Sequence, residues 1–261
     1  MRCTCVVKPS ELSPTVASLL ADLLPKYLDT DAYAIVNGAV PETERLLSLK
    51  WDHILFTGST RTGRIVATIA AKQLTPVTLE LGGKSPVFID TNNTDIEAAA
   101  RRVLWGRSQN AGQLCVSPDY VLVPRDGQDA LVAAFQKAYD AFWPHPKGNL
   151  DEKSEMGHII TPESQARILK LISGTNGTIV KGGESSGRRI ALTIVRDVKV
   201  DDVLMASEIF GPIIPIVPVD DVHEAIRIIR GRPTPLVIYL FTESAETKSL
   251  CEINHVFNPY D

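Results

Sequence analysis

The feature that most limits the fold of this chain is the regular alternation of strand-like and helix-like segments over its first eighty residues. Runs of β-branched and aromatic residues are each followed by a stretch whose apolar side chains recur at helical spacing. The predicted strands cover residues 4–7, 33–36, 53–57 and 76–81, and the helices between them begin near Pro14, Glu42 and Arg64. Strands that alternate with helices form a parallel sheet with helices on its faces. The sequence therefore predicts an α/β fold.

The part of the chain that follows the paired glycines Gly82 and Gly83 also mixes both kinds of element. Thr94 is a predicted helix N-cap, and Glu97 three residues later completes a capping box. Predicted strands lie at 87–90, 120–123, 178–181, 192–195, 213–219 and 236–241, and predicted helices lie at 129–142, 162–174 and 222–230. We place a domain boundary at the double glycine, which gives α/β domains at 1–83 and 84–247 and a tail at 248–261.

Composition and charge exclude several kinds of protein. With 44% hydrophobic and 22% charged residues, the 261-residue chain has enough apolar side chains for a packed core. The net charge of -4 argues against nucleic acid as a partner, because phosphate binding needs a concentrated basic surface. No apolar run has the length of a membrane-spanning helix. The four cysteines lack metal-binding or disulfide-framework spacing, which predicts no metal site and favours a reducing, cytoplasmic location.

A glycine-rich turn, Gly58 to Gly63, separates a predicted strand from a predicted helix. Glycines at such a turn allow close approach of a ligand, and a helix N-terminus favours a phosphate group. Ser59 has the position of a helix cap or of a donor to a phosphate oxygen. The spacing is wider than that of the usual dinucleotide-binding fingerprint. On spacing alone, an ordinary strand–helix turn fits equally well.

Two further residues carry groups that suit catalysis. Glu80 ends a predicted strand beside two glycines, where a carboxylate has room to accept a proton from water; a solvent-exposed glutamate is the simpler alternative. Cys115 lies in a predicted loop after Gly112, and its thiolate would be a strong nucleophile toward carbonyls, with loop amides stabilising an oxyanion. The alternative is a buried structural cysteine. The five histidines are scattered, so none supplies the partner of an unrelated thiol hydrolase.

The order of four motifs changes this balance. Phe56-Thr57-Gly58-Ser59 is followed by Leu79-Glu80-Leu81-Gly82-Gly83-Lys84-Ser85-Pro86, then by Asn110-Ala111-Gly112-Gln113-Leu114-Cys115 and by Glu208-Ile209-Phe210-Gly211-Pro212. This succession resembles the aldehyde dehydrogenase superfamily over about residues 5 to 247. The segments Lys8-Pro9-Ser10-Glu11-Leu12-Ser13, Lys50-Trp51-Asp52-His53 and Ser117-Pro118-Asp119-Tyr120 are similar to the class 3 branch, which includes fatty aldehyde dehydrogenases.

The resemblance implies a role for each matching residue. Cys115 matches the catalytic nucleophile, Glu80 matches the general base, and Asn110 helps to shape the nucleophile loop. The residues that match cofactor contacts are Gly58, Ser59 and Gly63 at the pyrophosphate, Lys8 and Glu11 at the adenosine ribose, and Glu208 and Phe210 at the nicotinamide side. The implied fold is a Rossmann-like sheet domain followed by a catalytic domain. The implied cofactor is NAD, with NADP as an alternative that a carboxylate at Glu11 would disfavour.

The resemblance also shows where this chain departs from the family. Family members are longer at both ends, so we expect the chain to lack the first cofactor-domain strand, an oxyanion-hole asparagine and the tail that forms the homodimer. From Ser249 to Asp261 we expect neither helical period nor family likeness. Two functions therefore stay open: oxidation of a small-molecule aldehyde, or an inactive remnant that binds a dinucleotide or a full-length paralogue.

Overall fold

The structure, a computed structural model, describes residues 3–253 of the chain. The chain divides into two compact units, Met1–Glu80 and Leu81–Asp261. The α/β class predicted from strand–helix alternation is confirmed, because strands and helices alternate in both units and most strand pairs are parallel. Within the described residues, no helix is long and apolar enough to cross a membrane.

The first unit contains four short strands that form two separate pairs. Strand β1 (Cys5–Val7) runs parallel to β2 (Tyr33–Ile35), and β3 (Ile54–Gly58) pairs with β4 (Val77–Leu81). The helices between them are α1 (Pro14–Tyr27), α2 (Val40–Leu47) and α3 (Thr60–Ala71). Helix α1 begins at Pro14, as the sequence predicts, and the side chain of the preceding residue, Ser13, makes no capping hydrogen bond. Each of these four strands therefore pairs with one neighbour, along one edge.

The second unit is built on a six-stranded sheet with helices α4 (Ile96–Ser108), α5 (Gln128–Phe142), α6 (Pro162–Gly174), α7 (Val222–Arg230) and α8 (Ala245–Ile253). Its strands are β5 (Pro86–Ile89), β6 (Tyr120–Pro124), β7 (Thr178–Lys181), β10 (Thr193–Arg196), β11 (Ile213–Val219) and β12 (Tyr239–Phe241), while β8 (Ser185–Ser186) and β9 (Arg189–Ile190) form a small hairpin. The strand order is β12-β5-β6-β11-β10-β7, and only β7 runs antiparallel to its neighbour.

The sheet of the second unit holds the hydrophobic core. All four residues of β5 are buried, as are the first four of β6, because helices cover the sheet where these strands run. The largest fully buried apolar side chains include Phe135, Leu131, Leu122 and Ile89. In the first unit, by contrast, the buried apolar side chains among the described residues are Ala17, Val66 and Ala70.

Two sequence predictions about helices were wrong. The cap of α4 is Asp95 rather than Thr94, because the carboxylate of Asp95 accepts the backbone N–H of Ala98 at 2.9 Å. Helical structure does not end near Ser249, since α8 continues to Ile253 and buries the side chain of Cys251. The rest of the predicted irregular tail, residues 254–261, lies outside the described residues.

Candidate active site

The predicted nucleophile follows an unusual left-handed turn. Helix α4 ends at Ser108, and the next three residues that bend the chain all have positive φ: Asn110 at 48°, Ala111 at 55° and Gly112 at 72°. This backbone region is costly for residues that carry a Cβ, so surrounding contacts must hold it in place. At Gly112 a Cβ would also collide with the carbonyl oxygen of Gly211, which explains why this position needs glycine.

The side chain of Gln113 holds this turn. Its amide nitrogen donates to the carbonyl of Asn110 at 2.9 Å and to that of His158 at 3.0 Å, while its oxygen accepts the N–H of Ile160 at 2.9 Å. Asn110 in turn donates its side-chain amide to the carbonyl of Gln113 at 3.1 Å. These bonds use nearly the full hydrogen-bonding capacity of the buried Gln113 amide. Asn110 therefore helps to hold the loop through a side-chain bond to its backbone.

Cys115 itself is half-buried in the next turn. The N–H of Ser117 bonds the carbonyl of Leu114 at 3.1 Å, which closes the turn around the cysteine. Among the described residues, nothing accepts the backbone N–H of Cys115, so this donor is free to bind an oxyanion. Cys115 and Cys251 both carry a thiol that forms no disulfide. Cys115 is half-buried, whereas Cys251 is buried, and burial raises the pKa of the Cys251 thiol.

The loop that carries Glu208 and Phe210 packs beside the nucleophile turn. The carboxylate of Glu208 accepts the backbone N–H of Gly83, and a Cβ at Gly82 would lie 2.6 Å from one of its oxygens. Burial raises the pKa of Glu208, and the Gly83 bond opposes that shift only in part. Phe210 has a positive φ of 46°, and the residue is 39% exposed.

A buried ionic network, which was not predicted from the sequence, connects these loops. The ammonium of Lys84 and the guanidinium of Arg107 share the carboxylate of Asp119, and all three side chains are less than 10% exposed. Lys84 pairs with Oδ1 of Asp119, and Oδ2, which faces Arg107, also accepts the N–H of Ile209 at 2.9 Å, beside Glu208. Burial lowers the pKa of Lys84 and of Arg107, and the Asp119 charge opposes both shifts.

The two cations of this network also donate hydrogen bonds to neighbouring loops. Lys84 also donates to the carbonyl of Leu204 at 2.6 Å, and Arg107 donates to the carbonyl of Ile213 at 2.9 Å and to the hydroxyl of Ser117 at 3.2 Å. The network therefore connects the segment after β4, both ends of the nucleophile loop and both ends of the Glu208 loop. A lysine two residues before an apolar strand was the one sequence signal of this burial, because lysine is buried almost only where it is paired.

The remaining predicted site residues lie in the first unit. Gly58 ends β3, and Ser59 caps α3 by accepting the N–H of Thr62 at 3.3 Å. The next glycine of the turn, Gly63, is buried inside α3. This arrangement confirms a capped helix N-terminus at the turn, which is a favourable site for a phosphate.

Lys8 and Glu11 lie together, as the resemblance requires for a shared ribose contact. Their side chains form an ion pair at 3.2 Å, and Lys8 also donates to the carbonyl of Gly38 at 2.9 Å. A bond to its own backbone and the charge of Lys8 lower the pKa of the exposed Glu11 carboxyl. Glu80 lies in β4 and its side chain is exposed to solvent. Among residues 3–253, no group of three or more His, Cys, Asp or Glu side chains forms a metal site.

Comparison with known proteins identifies the family. The model of the aldehyde dehydrogenase family matches residues 1–252. The chain belongs to the aldehyde dehydrogenase family. The match continues beyond residue 247, where the sequence alone suggested that the likeness ends. The order of the four motifs therefore predicted the family correctly.

Curated aldehyde dehydrogenases match nearly the whole chain. Aldehyde dehydrogenase family 3 member A2 of Rattus norvegicus is 46% identical over 241 residues, which are 92% of this chain and 49% of the relative. The dimeric NADP-preferring aldehyde dehydrogenase of Canis lupus familiaris is 43% identical over 238 residues, or 91% of this chain and 51% of the relative. The chain spans about half the length of the curated relatives it matches.

Solved structures give the same result. The substrate-bound state of Staphylococcus aureus AldH matches with a TM-score of 0.90 at 36% identity, covering 99% of this chain and 55% of that protein. The Mycobacterium tuberculosis aldehyde dehydrogenase complexed with NAD+ matches with a TM-score of 0.86 at 30% identity, covering 97% of this chain and 54% of that protein. The aldehyde dehydrogenase fold expected from the motifs is therefore confirmed for about half of its full extent.

Proposed function

We propose that this chain carries the nucleophile and the general base of an aldehyde dehydrogenase that oxidises an aldehyde to a carboxylic acid with a nicotinamide dinucleotide. The observation that carries the proposal is the state of Cys115, a half-buried free thiol whose own backbone N–H is unpaired. One residue thus offers both a nucleophile and an oxyanion donor. It follows a turn with positive φ angles that the buried side chain of Gln113 holds in place.

The chemistry assigned to the residues of this chain has two stages. The Cys115 thiolate attacks the aldehyde carbonyl carbon to form a thiohemiacetal, and the Cys115 N–H stabilises the oxygen that gains charge. When bound, the dinucleotide accepts the hydride that leaves this carbon, which converts the thiohemiacetal into a thioester. Glu80 then removes a proton from water, the hydroxide attacks the thioester, and the carbon–sulfur bond breaks to release the acid and the thiolate.

The residues expected to hold the cofactor have chemistry that fits a dinucleotide. The capped N-terminus of α3 at Ser59 favours a phosphate, and the Lys8–Glu11 pair presents a cation and a carboxylate that suit a ribose and its neighbouring phosphate. Glu208, held on Gly83, and the exposed ring of Phe210 suit a second ribose and an aromatic base. We assign residues 1–83 to the dinucleotide-binding domain and residues 84–247 to the catalytic domain.

The charge of Glu11 bears on the choice between the two dinucleotides. Its carboxyl has a lowered pKa and therefore stays ionised near neutral pH, where it would repel a 2′-phosphate. We therefore expect NAD to bind more tightly than NADP, even though one relative is named NADP-preferring. Glu11→Gln should reduce this difference, and titration of both dinucleotides against the two proteins measures it.

An alternative function is supported by the exposed apolar surface of the first unit. Leu19, Leu20 and Tyr27 of α1 and Leu55 of β3 are between 41% and 79% exposed. Patches of this kind mark surfaces that bind another protein. In this alternative the chain binds a dinucleotide or a full-length paralogue and does not oxidise aldehydes.

One experiment separates the two functions. The purified chain is mixed with NAD and a panel of aldehydes of increasing chain length, and NADH absorbance is followed, with Cys115→Ala as the matched control. Aldehyde-dependent NADH production that Cys115→Ala abolishes would support the enzyme. Dinucleotide binding without NADH production from any aldehyde would contradict it and favour the alternative.

A further inference from the structure

A tyrosine outside all four family motifs touches the turn that carries Cys115. Tyr239 is the first residue of β12, and it pairs with Val87 of β5 in a parallel register. In the next pair of the sheet, Pro86 at the start of β5 lies opposite Tyr120 at the start of β6. The beginning of β12 and the loop before β6 therefore lie at the same edge of the sheet. Cys115 belongs to that loop, five positions before β6 begins.

The contact between them is a single short hydrogen bond. The phenol oxygen of Tyr239 donates to the backbone carbonyl of Val116 at 2.5 Å. Among the described residues, no other side chain hydrogen-bonds to Leu114, Cys115 or Val116, so Tyr239 is the one side-chain tether of this turn. Leu114 and Val116, the residues on either side of the cysteine, are 37% and 41% exposed, so packing covers them only in part.

The electrostatics of Tyr239 agree with a permanent donor. Burial raises the pKa of the phenol, and the negative charge of the nearby Cys115 thiolate raises it further. The hydroxyl consequently stays protonated at physiological pH and when the cysteine is ionised. A bond from this hydroxyl to the Val116 carbonyl thus persists in the reactive, thiolate form of the turn.

We propose that Tyr239 is a positioning residue that aligns the Cys115 sulfur and the Cys115 N–H on one substrate carbonyl. Attack on a carbonyl needs both atoms, because the sulfur must approach the carbon while the N–H stabilises the oxygen. Alkylation of the sulfur by a small haloacetamide needs only the sulfur. Loss of the tether should therefore slow acylation of Cys115 much more than its alkylation. The inference rests on the proposed function, because it assigns Cys115 the role of nucleophile.

The test compares Tyr239→Phe with the unmodified chain and with a matched hydroxyl deletion. The Tyr139→Phe variant loses a hydroxyl that donates to the side chain of Asn149 at 2.7 Å and makes no hydrogen bond to residues 114–116. Acylation is measured as the burst of p-nitrophenolate from p-nitrophenyl acetate, in which the sulfur–acyl bond forms as the phenolate leaves. Alkylation is measured with iodoacetamide by mass spectrometry, with Cys3, Cys5 and Cys251 as internal references.

We expect Tyr239→Phe to lower the acylation rate of Cys115 about tenfold and its alkylation rate less than about threefold. Tyr139→Phe should leave the ratio of the two rates unchanged. Equal losses in acylation and alkylation of the Tyr239→Phe protein would overturn the inference, as would a loss of the same size in Tyr139→Phe.

A second measurement keeps the inference testable if the unmodified chain is not acylated, an outcome that would contradict the proposed function instead. The Ser117 N–H is bonded to the Leu114 carbonyl and its residue is 4% exposed, so its hydrogen exchange reports opening of the turn. Tyr239→Phe should speed this exchange about 3- to 10-fold, and Tyr139→Phe should not. Equal exchange in Tyr239→Phe and the unmodified chain would overturn the positioning role.

Discussion

The two compact units of the chain differ in how many of their apolar side chains are buried. In Leu81–Asp261 the strands β5, β6, β10 and β11 lie in a sheet whose apolar side chains are almost all buried. The two pairs of strands in Met1–Glu80 contain the same kinds of apolar residue as that sheet. Nevertheless, β1 is exposed throughout, and α1 buries only Ala17. The same strand and helix signals thus lead to a packed core in one unit and to apolar surface in the other.

This difference indicates what holds the candidate site. The second unit stabilises the nucleophile turn by its own contacts, through the Gln113 side chain and the Lys84–Asp119–Arg107 network. In the first unit the candidate cofactor residues are held by contacts between residues close in the sequence. Ser59 caps helix α3, and Lys8 forms an ion pair with Glu11 three residues later. Substitutions in the second unit should therefore change stability strongly, and comparable substitutions on the apolar surface of the first unit should not.

The largest effect is expected from the buried network. Asp119→Asn leaves Lys84 and Arg107 without a counter-charge at less than 10% exposure, and breaking a buried pair in this way costs about 3–5 kcal/mol of unfolding free energy. Urea denaturation measures the loss. The control is Asp220→Asn, which removes the partner of Arg125 in a solvent-exposed ion pair. We expect no measurable change there, and equal losses in the two variants would contradict the assignment of the network.

The next effect is expected at the left-handed turn. Gly112→Ala should cost about 2–3 kcal/mol, because a Cβ there combines an unfavourable positive φ with a collision against the Gly211 carbonyl. Gly187→Ala is the matched control, since that glycine has a φ of 55° but no atom within 4 Å of an added Cβ. The control should lose about 1 kcal/mol. Thermal unfolding of both variants tests whether close packing, and not φ alone, fixes this turn.

A smaller effect is expected from Glu208 as a function of pH. Burial raises the pKa of Glu208 in the folded chain above the ordinary value of 4.5, so the folded state holds its proton at pH values where the unfolded state has released it. This carboxyl therefore contributes a loss of stability as pH rises from 4.5 through the raised pKa. Glu208→Gln should remove that part of the slope in a series of denaturation curves. An unchanged slope would contradict the raised pKa.

The smallest effect on stability is expected on the apolar face of α1. Leu20 is 41% exposed, and Leu20→Ser should change the unfolding free energy by less than about 0.5 kcal/mol. The substitution should instead reduce self-association, which light scattering measures over a range of protein concentrations. A large loss of stability in Leu20→Ser would show that this face is packed in solution and would remove the contrast between the two units.

The sequence predicted the parts of the fold that depend on local chemistry. The alternation of strands and helices and the Ser59 cap follow from backbone preferences of residues close together in the chain. The position of the α4 cap was wrong by one residue, since Thr94 and Asp95 both have suitable side chains and only the geometry selects the carboxylate. The sequence reads as a helix start up to Thr247, but the continuation of α8 to Ile253 was missed because its amphipathic period is weak.

The least predictable part of the candidate site was its support. Lys84, Arg107 and Asp119 are types of residue that normally lie at the surface, and they meet only because β5, α4 and β6 bring distant segments together. Tyr239 was missed for the same reason, since 123 positions separate it from the carbonyl that it binds. The motifs identified the groups proposed to react, and the three-dimensional fold was needed to find the groups that hold them.

The central claim is that Cys115 forms a thioester that Glu80 helps to hydrolyse. Its most direct test is mass spectrometry of Glu80→Gln after mixing with NAD and an aldehyde, because loss of the base should leave the acyl group on the sulfur. We predict a mass increase equal to that acyl group on the Cys115 peptide, and none on Cys3, Cys5 or Cys251. An unmodified Cys115 in a protein that still produces NADH, or an acyl group on another residue, would contradict the mechanism.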